Sequence, residues 1–215
     1  MTVKKVLIFG LPRSGTTVLQ KRLGKSFGIT GYSEPFSSYE YRTAIGDPYE
    51  WVANLDSGII KILSQNLDYI NVKQFVTAGN FDSVIVTQRR NLTDLCISLY
   101  YAEQVVQQYH YDKQPENIEP FTCPLEFVNA VLVPYRWYQD ALAELNNNSI
   151  SYTTFDYDAY QVGNSQTIAG VEFCLANESS YKLDTVSANI PYADLCVNYN
   201  EIKTIINQTL NENNS

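Results

Sequence analysis

The chain holds a single histidine, His110, and four cysteines, Cys96, Cys123, Cys174 and Cys196, with no C-x-x-C pair among them. That scarcity removes the ligand sets from which zinc centres are built. The scattered thiols read as ordinary cysteines of a reducing compartment. Positive charge is also short: 15 Lys and Arg stand against 23 Asp and Glu, for a formal net charge of -8. No basic stripe is left for a nucleic-acid backbone, which argues against non-specific polyanion binding. A small anion needs only a few local cations and backbone donors and is not excluded. No apolar stretch approaches the roughly 20 residues that cross a bilayer, so no membrane anchor is expected. Lys4 and Lys5 precede a short apolar run, but that run ends in a glycine loop without a small-residue cleavage site. It reads as a buried first strand rather than a signal peptide, and the expected location is cytoplasmic. Internal repeats and low-complexity linkers are missing too, so a single domain over 1–215 is the simplest organisation.

What is present is the composition of a folding globular protein, 45% hydrophobic and 13% aromatic. Residues 5–9 read as a buried strand. Residues 15–27 read as a helix with Leu19, Leu23 and Phe27 along one stripe. A short strand or turn over 29–34 is ended by Pro35. Residues 36–57 mix Ser, Tyr, Gly, Pro and Trp without a period and read as a lid or acceptor-binding insertion carrying a short helix. An apolar run over 58–63 is interrupted by Lys61, and 65–78 has helical character. Residues 83–88 form the clearest later strand, followed by a helix over 93–107 and a turn-rich stretch over 113–124. A long helix comes next, with Val128, Val131, Tyr135, Tyr138, Leu142 and Leu145 as its spine and Pro134 inside it. A strand over 149–155, a helix over 165–176, a terminal helix over 198–211 and a frayed tail over 211–215 complete the reading. Strands separated by helices predict a three-layer α/β fold, a mostly parallel central sheet with helices on both faces. Ligands of such sheets gather at the carboxyl ends of the strands.

The first strand runs into Gly10-Leu11-Pro12-Arg13-Ser14-Gly15-Thr16-Thr17. Backbone N–H groups of such a turn converge where the helix that follows presents its positive end, so the loop is an anion cradle suited to phosphate. Its frame is nearly that of the nucleotide-triphosphate loop G-x-x-x-x-G-K-[ST], with Thr17 at the magnesium-binding hydroxyl. Thr16, however, takes the lysine position, and the cation has moved to Arg13. A loop so altered is poorly equipped to stabilise a transferring γ-phosphoryl group.

Pro12-Arg13-Ser14-Gly15-Thr16-Thr17 followed by Leu19 resembles the 5′-phosphosulfate loop of the P-loop sulfotransferases, P-[KR]-[ST]-G-[TS]-[TS]-x-L. Arg90-Asn91-Leu92-Thr93-Asp94-Leu95-Cys96-Ile97-Ser98 resembles their 3′-phosphate motif, R-[ND]-P-x-D-x-x-x-S, with Leu92 in place of the proline. The order and separation of the two motifs fit as well, and the pattern is nearest to carbohydrate-type members. The resemblance implies 3′-phosphoadenylyl sulfate as donor, adenosine 3′,5′-bisphosphate as product, and no required metal. It implies a P-loop sulfotransferase-like fold in which Arg13, Ser14, Gly15, Thr16 and Thr17 hold the 5′-phosphosulfate. Arg90 and Ser98 would clamp the 3′-phosphate with charge-assisted bonds.

Glu34 lies where carbohydrate-type members place an acidic residue and reads as general base for an acceptor hydroxyl, or as a substrate-orienting or loop-fixing carboxylate. Lys61 inside so apolar a run is costly to bury without a partner. It resembles the family lysine beside the donor, which would neutralise charge on the bridging oxygen; the alternative is a lysine snorkelling from a strand edge. Arg89 reads as a solvated or salt-bridged side chain or as a direct ligand. Asp94 reads as a helix-start residue. His110 follows the second motif, whereas family members with a histidine base carry it before that motif, so a noncatalytic place is expected. Asp156 or Asp158 resembles the acidic residue of a late family strand, with a structural use favoured, and Lys182 reads as part of an eroded donor-covering loop. Tyr39, Tyr41, Tyr49, Trp51, Tyr100, Tyr101, Tyr109 and Tyr111 are aromatic platforms for a sugar, lipid or phenolic acceptor. The acceptor expected is a small-molecule, glycan or lipid hydroxyl, with carbohydrate preferred. Two other readings stay open: a small P-loop nucleotide kinase, and a non-catalytic nucleotide- or sugar-binding protein.

Overall fold

The computed structural model describes residues 3–107, 119–174 and 190–212. They divide between two compact units, Met1–Gln88 with Pro134–Leu183, and Arg89–Val133 with Asp184–Ser215. The fold is α/β, with a five-stranded, all-parallel central sheet and helices around it.

The first unit contains that sheet. Its strands are β1 (Lys5–Gly10), β2 (Gly31–Ser33), β3 (Gly58–Leu63), β4 (Ser83–Gln88) and β5 (Thr153–Asp156), in the order β2-β3-β1-β4-β5. β1 sits in the middle, paired with β3 on one side and β4 on the other, and all six of its residues are buried. Strands buried on both faces need no polar alternation, which is why these runs are nearly continuous apolar sequence. Successive side chains point to opposite faces. Val6, Ile8, Ile59 and Ile85 meet Val18, Leu19 and Leu23 of α1 (Thr16–Phe27) on one side. On the other face, the Phe9 ring packs 5.3 Å from that of Tyr138. Tyr138 belongs to α6 (Leu125–Asn147), the long helix that contains Pro134, and the division between the units falls at that proline.

The insertion over 36–57 carries two short helices, α2 (Tyr39–Ile45) and α3 (Pro48–Ala53), started by the side chains of Ser38 and Asp47. α2 buries no residue; it is held by Arg42, whose fork meets Asp68 at 2.9 and 3.0 Å and whose Nε donates to the Phe36 carbonyl. The helical reading over 65–78 splits into a 3-10 turn (Ser64–Asp68) and α4 (Val72–Gly79), because Asn71 caps the second piece by accepting from Gln74 N–H. β5 is followed at once by α7 (Tyr157–Gln161).

The helix expected over 165–176 is not formed. Its described part is an antiparallel hairpin, β6 (Gln166–Ile168) and β7 (Val171–Phe173). Ala169 (φ 50°) and Gly170 (φ 79°) link the strands, and two consecutive left-handed residues make the kind of turn whose twist matches a hairpin. Gly170 supplies that φ without steric cost. Ile168 and Phe173 are buried while Thr167 and Glu172 are exposed, an alternation of period two. The Phe173 ring packs 5.7 Å from that of Phe155, with the Arg22 guanidinium 4.7 Å over it.

In the second unit, α5 (Leu92–Tyr100) continues into a π-helical turn (Tyr101–Val105). The portion of α6 before Pro134, α8 (Tyr192–Leu195) and α9 (Tyr199–Glu212) are its other helices among the described residues. A bridge between Phe121 and Cys196 joins its two chain segments, and the Asn198 amide reinforces it by bonding both the N–H and the carbonyl of Cys123. Burial, with a neighbouring cysteine second, pushes the Cys96 and Cys123 thiols up to about 12. Neither is poised to act as a nucleophile near neutral pH. No helix among the described residues is long and apolar enough to cross a membrane.

Phe173→Ala should cost about 3–5 kcal/mol of unfolding free energy, read by denaturant titration, because its ring is fully enclosed. A second test uses acid. Asp82 accepts the backbone N–H groups of Lys5 and Lys4 at 2.9 and 2.8 Å, and these bonds hold its carboxyl below the usual range. A depressed folded-state pKa contributes stability above the unfolded value of about 3.9 and loses it as pH falls through the folded one. The stability gap between wild type and Asp82→Asn should therefore be open at neutral pH and close below about pH 4.

Candidate functional site

The loop after β1 is built by its surroundings. Gly10 lies opposite Thr87 of β4, and a Cβ at Gly10 would overlap the Thr87 hydroxyl. That hydroxyl bonds Ser14 Oγ at 2.5 Å, Ser14 Oγ donates to the Leu11 carbonyl at 2.5 Å, and Tyr138 OH donates to the Thr87 carbonyl at 2.9 Å. Ser14 is fully buried, so its hydroxyl braces the floor of the loop. Gly15 closes the loop with φ 81° as the residue before α1. A Cβ there would stand 2.6 Å from the Tyr157 ring and 3.0 Å from Phe155. Arg13 also lies in the left-handed region (φ 59°), while Pro12 and Ser14 between and before these positions do not. Alternation of φ sign along consecutive residues turns their N–H groups into one concavity, the backbone nest that takes anions. Thr16 and Thr17 follow as the first two residues of the helix.

Beside this loop stands the lysine that interrupts the apolar run. Lys61 lies on β3 in register with Ile8, on the same face as Ile59, and so points toward α1. Its ammonium donates to Thr17 Oγ1 at 3.1 Å and pairs with Glu34 Oε1 at 2.8 Å. The Lys61 side chain is 4% exposed and that of Glu34 30%. This lysine is buried and partnered rather than snorkelling from an edge. Glu34 follows β2 directly; Ser33 is in register with Lys61, so parallel pairing delivers the carboxylate past the end of the strand to the ammonium. Glu34 takes φ 50°, a conformation non-glycine residues rarely adopt. Gln20 of α1 fixes this exit by donating to the Ile59 carbonyl at 3.1 Å and accepting from the Ser33 hydroxyl.

The second motif lies in the other unit. Asn91 caps α5 by accepting from Asp94 N–H at 3.1 Å. Asp94 sits in the first turn and accepts from Tyr199 OH at 2.9 Å, which gives it a helix-start place. Burial, with that bond second, pushes the Tyr199 phenol up. Ser98 is 2% exposed and donates to the Leu95 carbonyl at 2.9 Å. Arg89 Nη1 donates to Ser98 Oγ at 3.0 Å, and Arg90 is exposed.

Several residues here escaped the sequence reading. Thr87 carried one signal, a hydroxyl directly after the apolar run Val84–Val86; Gln20, Tyr157 and Tyr199 carried none, since their partners are remote in sequence. Asp156 caps α7 by accepting from Ala159 N–H at 3.1 Å, a structural use. Among the aromatic platforms, Tyr49 OH accepts from Asn71 N–H, and the Trp51 ring packs edge-on against Tyr32 and Phe36. Tyr39 and Tyr41 remain 80% and 59% exposed. His110, Lys182, Tyr109 and Tyr111 lie outside the described residues. No cluster of three or more His, Cys, Asp or Glu side chains able to hold a metal occurs among the described residues. No known protein-family profile matches the chain, and no curated protein does.

A double-mutant cycle on Lys61→Met and Glu34→Gln tests the ion pair. The two changes should be non-additive by about 0.5–3 kcal/mol in unfolding free energy, whereas strict additivity would show that the pair contributes nothing.

Proposed function

We propose that this protein is a sulfotransferase that moves a sulfuryl group from 3′-phosphoadenylyl sulfate to an acceptor hydroxyl. The observation that carries the reading is the meeting of Lys61, Thr17 and Glu34 beside the nest of the first loop. An anion cradle, a buried ammonium and a carboxylate are the parts such a transfer needs. The fold adds support, because β1 stands where the strand order reverses and its carboxyl end carries the loop, the usual ligand position in open parallel sheets.

In this reading the loop N–H groups and Arg13 hold the 5′-phosphosulfate. The acceptor oxygen attacks sulfur in line, the bond from sulfur to the phosphate oxygen breaks, and Glu34 takes the acceptor proton. Lys61 neutralises charge building on the departing oxygen. The second motif takes the 3′-phosphate, with Arg90, Ser98 and Arg89 as its candidates. The acceptor is a small-molecule, glycan or lipid hydroxyl, with carbohydrate preferred, and Tyr39 and Tyr41 keep exposed rings for it.

Calorimetric titration with adenosine 3′,5′-bisphosphate, followed by a donor-dependent screen of sugar, lipid and phenol acceptors, tests the assignment. Wild type should bind, and Arg13→Ala should lose about 1.5–3 kcal/mol of binding free energy with its thermal midpoint unchanged. Equal affinity in the two proteins, or phosphate transfer from ATP, would reject it.

A further inference from the structure

Asp94 and Ser98 stand one turn apart on α5, at i and i+4, and side chains at that spacing share a helix face. Arg89 Nη1 donates to Ser98 Oγ at 3.0 Å, which brings a guanidinium to that face. A carboxylate one turn away is the partner that elementary electrostatics would give it. Asp94 does not take it: among the described residues its carboxylate forms no ion pair. Its Oδ1 accepts instead from Tyr199 OH at 2.9 Å. Its backbone is held as well, because the Asp94 N–H donates to Asn91 Oδ1 at 3.1 Å. The phenol comes from α9, which packs on α5, and neither motif of the family pattern extends to that helix. Burial first, and the Asp94 bond second, push the phenol up, so it stays protonated and donates throughout the neutral range. Arg89 lies close enough to Tyr199 to pull the other way. The phenol stands in the field of both charges and is bonded to the negative one.

We propose that Tyr199 is a positioning residue of the second motif: by holding the Asp94 carboxylate it keeps Arg89 on Ser98, and so sets the preference for a nucleotide that carries a 3′-phosphate. The preference rests on the donor reading above; the hold on Asp94 does not. A guanidinium attracts a phosphate and a carboxylate repels it, so the balance depends on whether the two are kept apart. Without the phenol proton, Asp94 Oδ1 loses its donor, and the guanidinium one turn away can supply another. That closure would draw Arg89 off Ser98 and cancel charge where the anion is to bind.

The experiment uses the full chain and Tyr199→Phe, which keeps the ring and removes only the hydroxyl. Both are titrated with adenosine 3′,5′-bisphosphate and with adenosine 5′-monophosphate, which lacks the 3′-phosphate alone. Wild type should prefer the bisphosphate. Tyr199→Phe should lose on the order of tenfold in bisphosphate affinity, the scale of one hydrogen bond to a charged group, and nothing for the monophosphate. Adding Asp94→Asn to Tyr199→Phe should restore most of the loss, because the competing charge is gone; a purely structural hydroxyl would not be rescued in this way. Asp94→Asn alone should keep the preference, and serves if the phenylalanine variant does not fold. A ligand-free arm follows thermal midpoints: the shifts caused by Arg89→Met and Asp94→Asn should add in wild type and become non-additive in Tyr199→Phe, where the two charges meet. Unchanged bisphosphate affinity in Tyr199→Phe, an equal loss for both nucleotides, a loss that Asp94→Asn leaves in place, a preference abolished by Asp94→Asn alone, or additive shifts in both backgrounds would overturn the inference. Failure of the donor reading looks different: wild type would bind neither nucleotide, or treat the two alike, while the midpoint arm still reported the hold on Asp94.

Discussion

A lysine in the interior of a parallel sheet is expensive, and the arrangement around Lys61 is what makes it tolerable. Burying an ammonium without partners would cost several kcal/mol, so its acceptors must arrive with the fold. Glu34 arrives because β2 pairs in parallel with β3 and ends at Ser33, in register with Lys61 and one residue before Glu34, and Thr17 arrives because α1 packs on the face that Lys61 shares with Ile59. Gln20 ties the two together by holding Ile59 and Ser33 from the same helix. The charge that the core must accommodate is therefore the charge that the proposed transfer would use, and the left-handed Glu34 backbone is a strained conformation of the kind that collects at functional positions.

The loop on the other side of Thr17 depends on a different constraint, close approach. β1 lies so near Thr87 that only glycine fits at position 10, and the Thr87 hydroxyl then reaches Ser14. The Tyr157 and Phe155 rings close over position 15 in the same way. Two glycines set the spacing, but β4, β5 and Tyr138 of α6 support the loop from below. An anion site that must hold its N–H groups fixed benefits from a floor of this kind, because preorganised donors need no rearrangement when charge arrives.

In the second unit the motif residues are spread over more roles than their spacing implied. Ser98 has one proton, given to the Leu95 carbonyl, and its oxygen accepts from Arg89. Asp94 is satisfied by the hydroxyl of Tyr199, more than a hundred residues later. Adjacent arginines cannot be told apart by pattern, since which of them turns inward depends on how the chain leaves β4. The missed hairpin has a similar cause. Over so few residues, apolar spacing fits helix and strand alike, and the left-handed pair Ala169 and Gly170 resolves the ambiguity only in the folded backbone.

The amino-acid order by itself determined the parallel α/β character, through β-branched apolar runs alternating with helical stretches, and the tight loop after β1, through two glycines and the hydroxyls that open α1. It also singled out Lys61, because an ammonium in such a run has no local explanation. Only the tertiary structure decided what that lysine touches, that Ser14 faces inward, and that Arg89 meets Ser98. Those outcomes depend on strand order, register and close packing between segments distant in the chain, and such long-range geometry is not encoded in any short window of sequence.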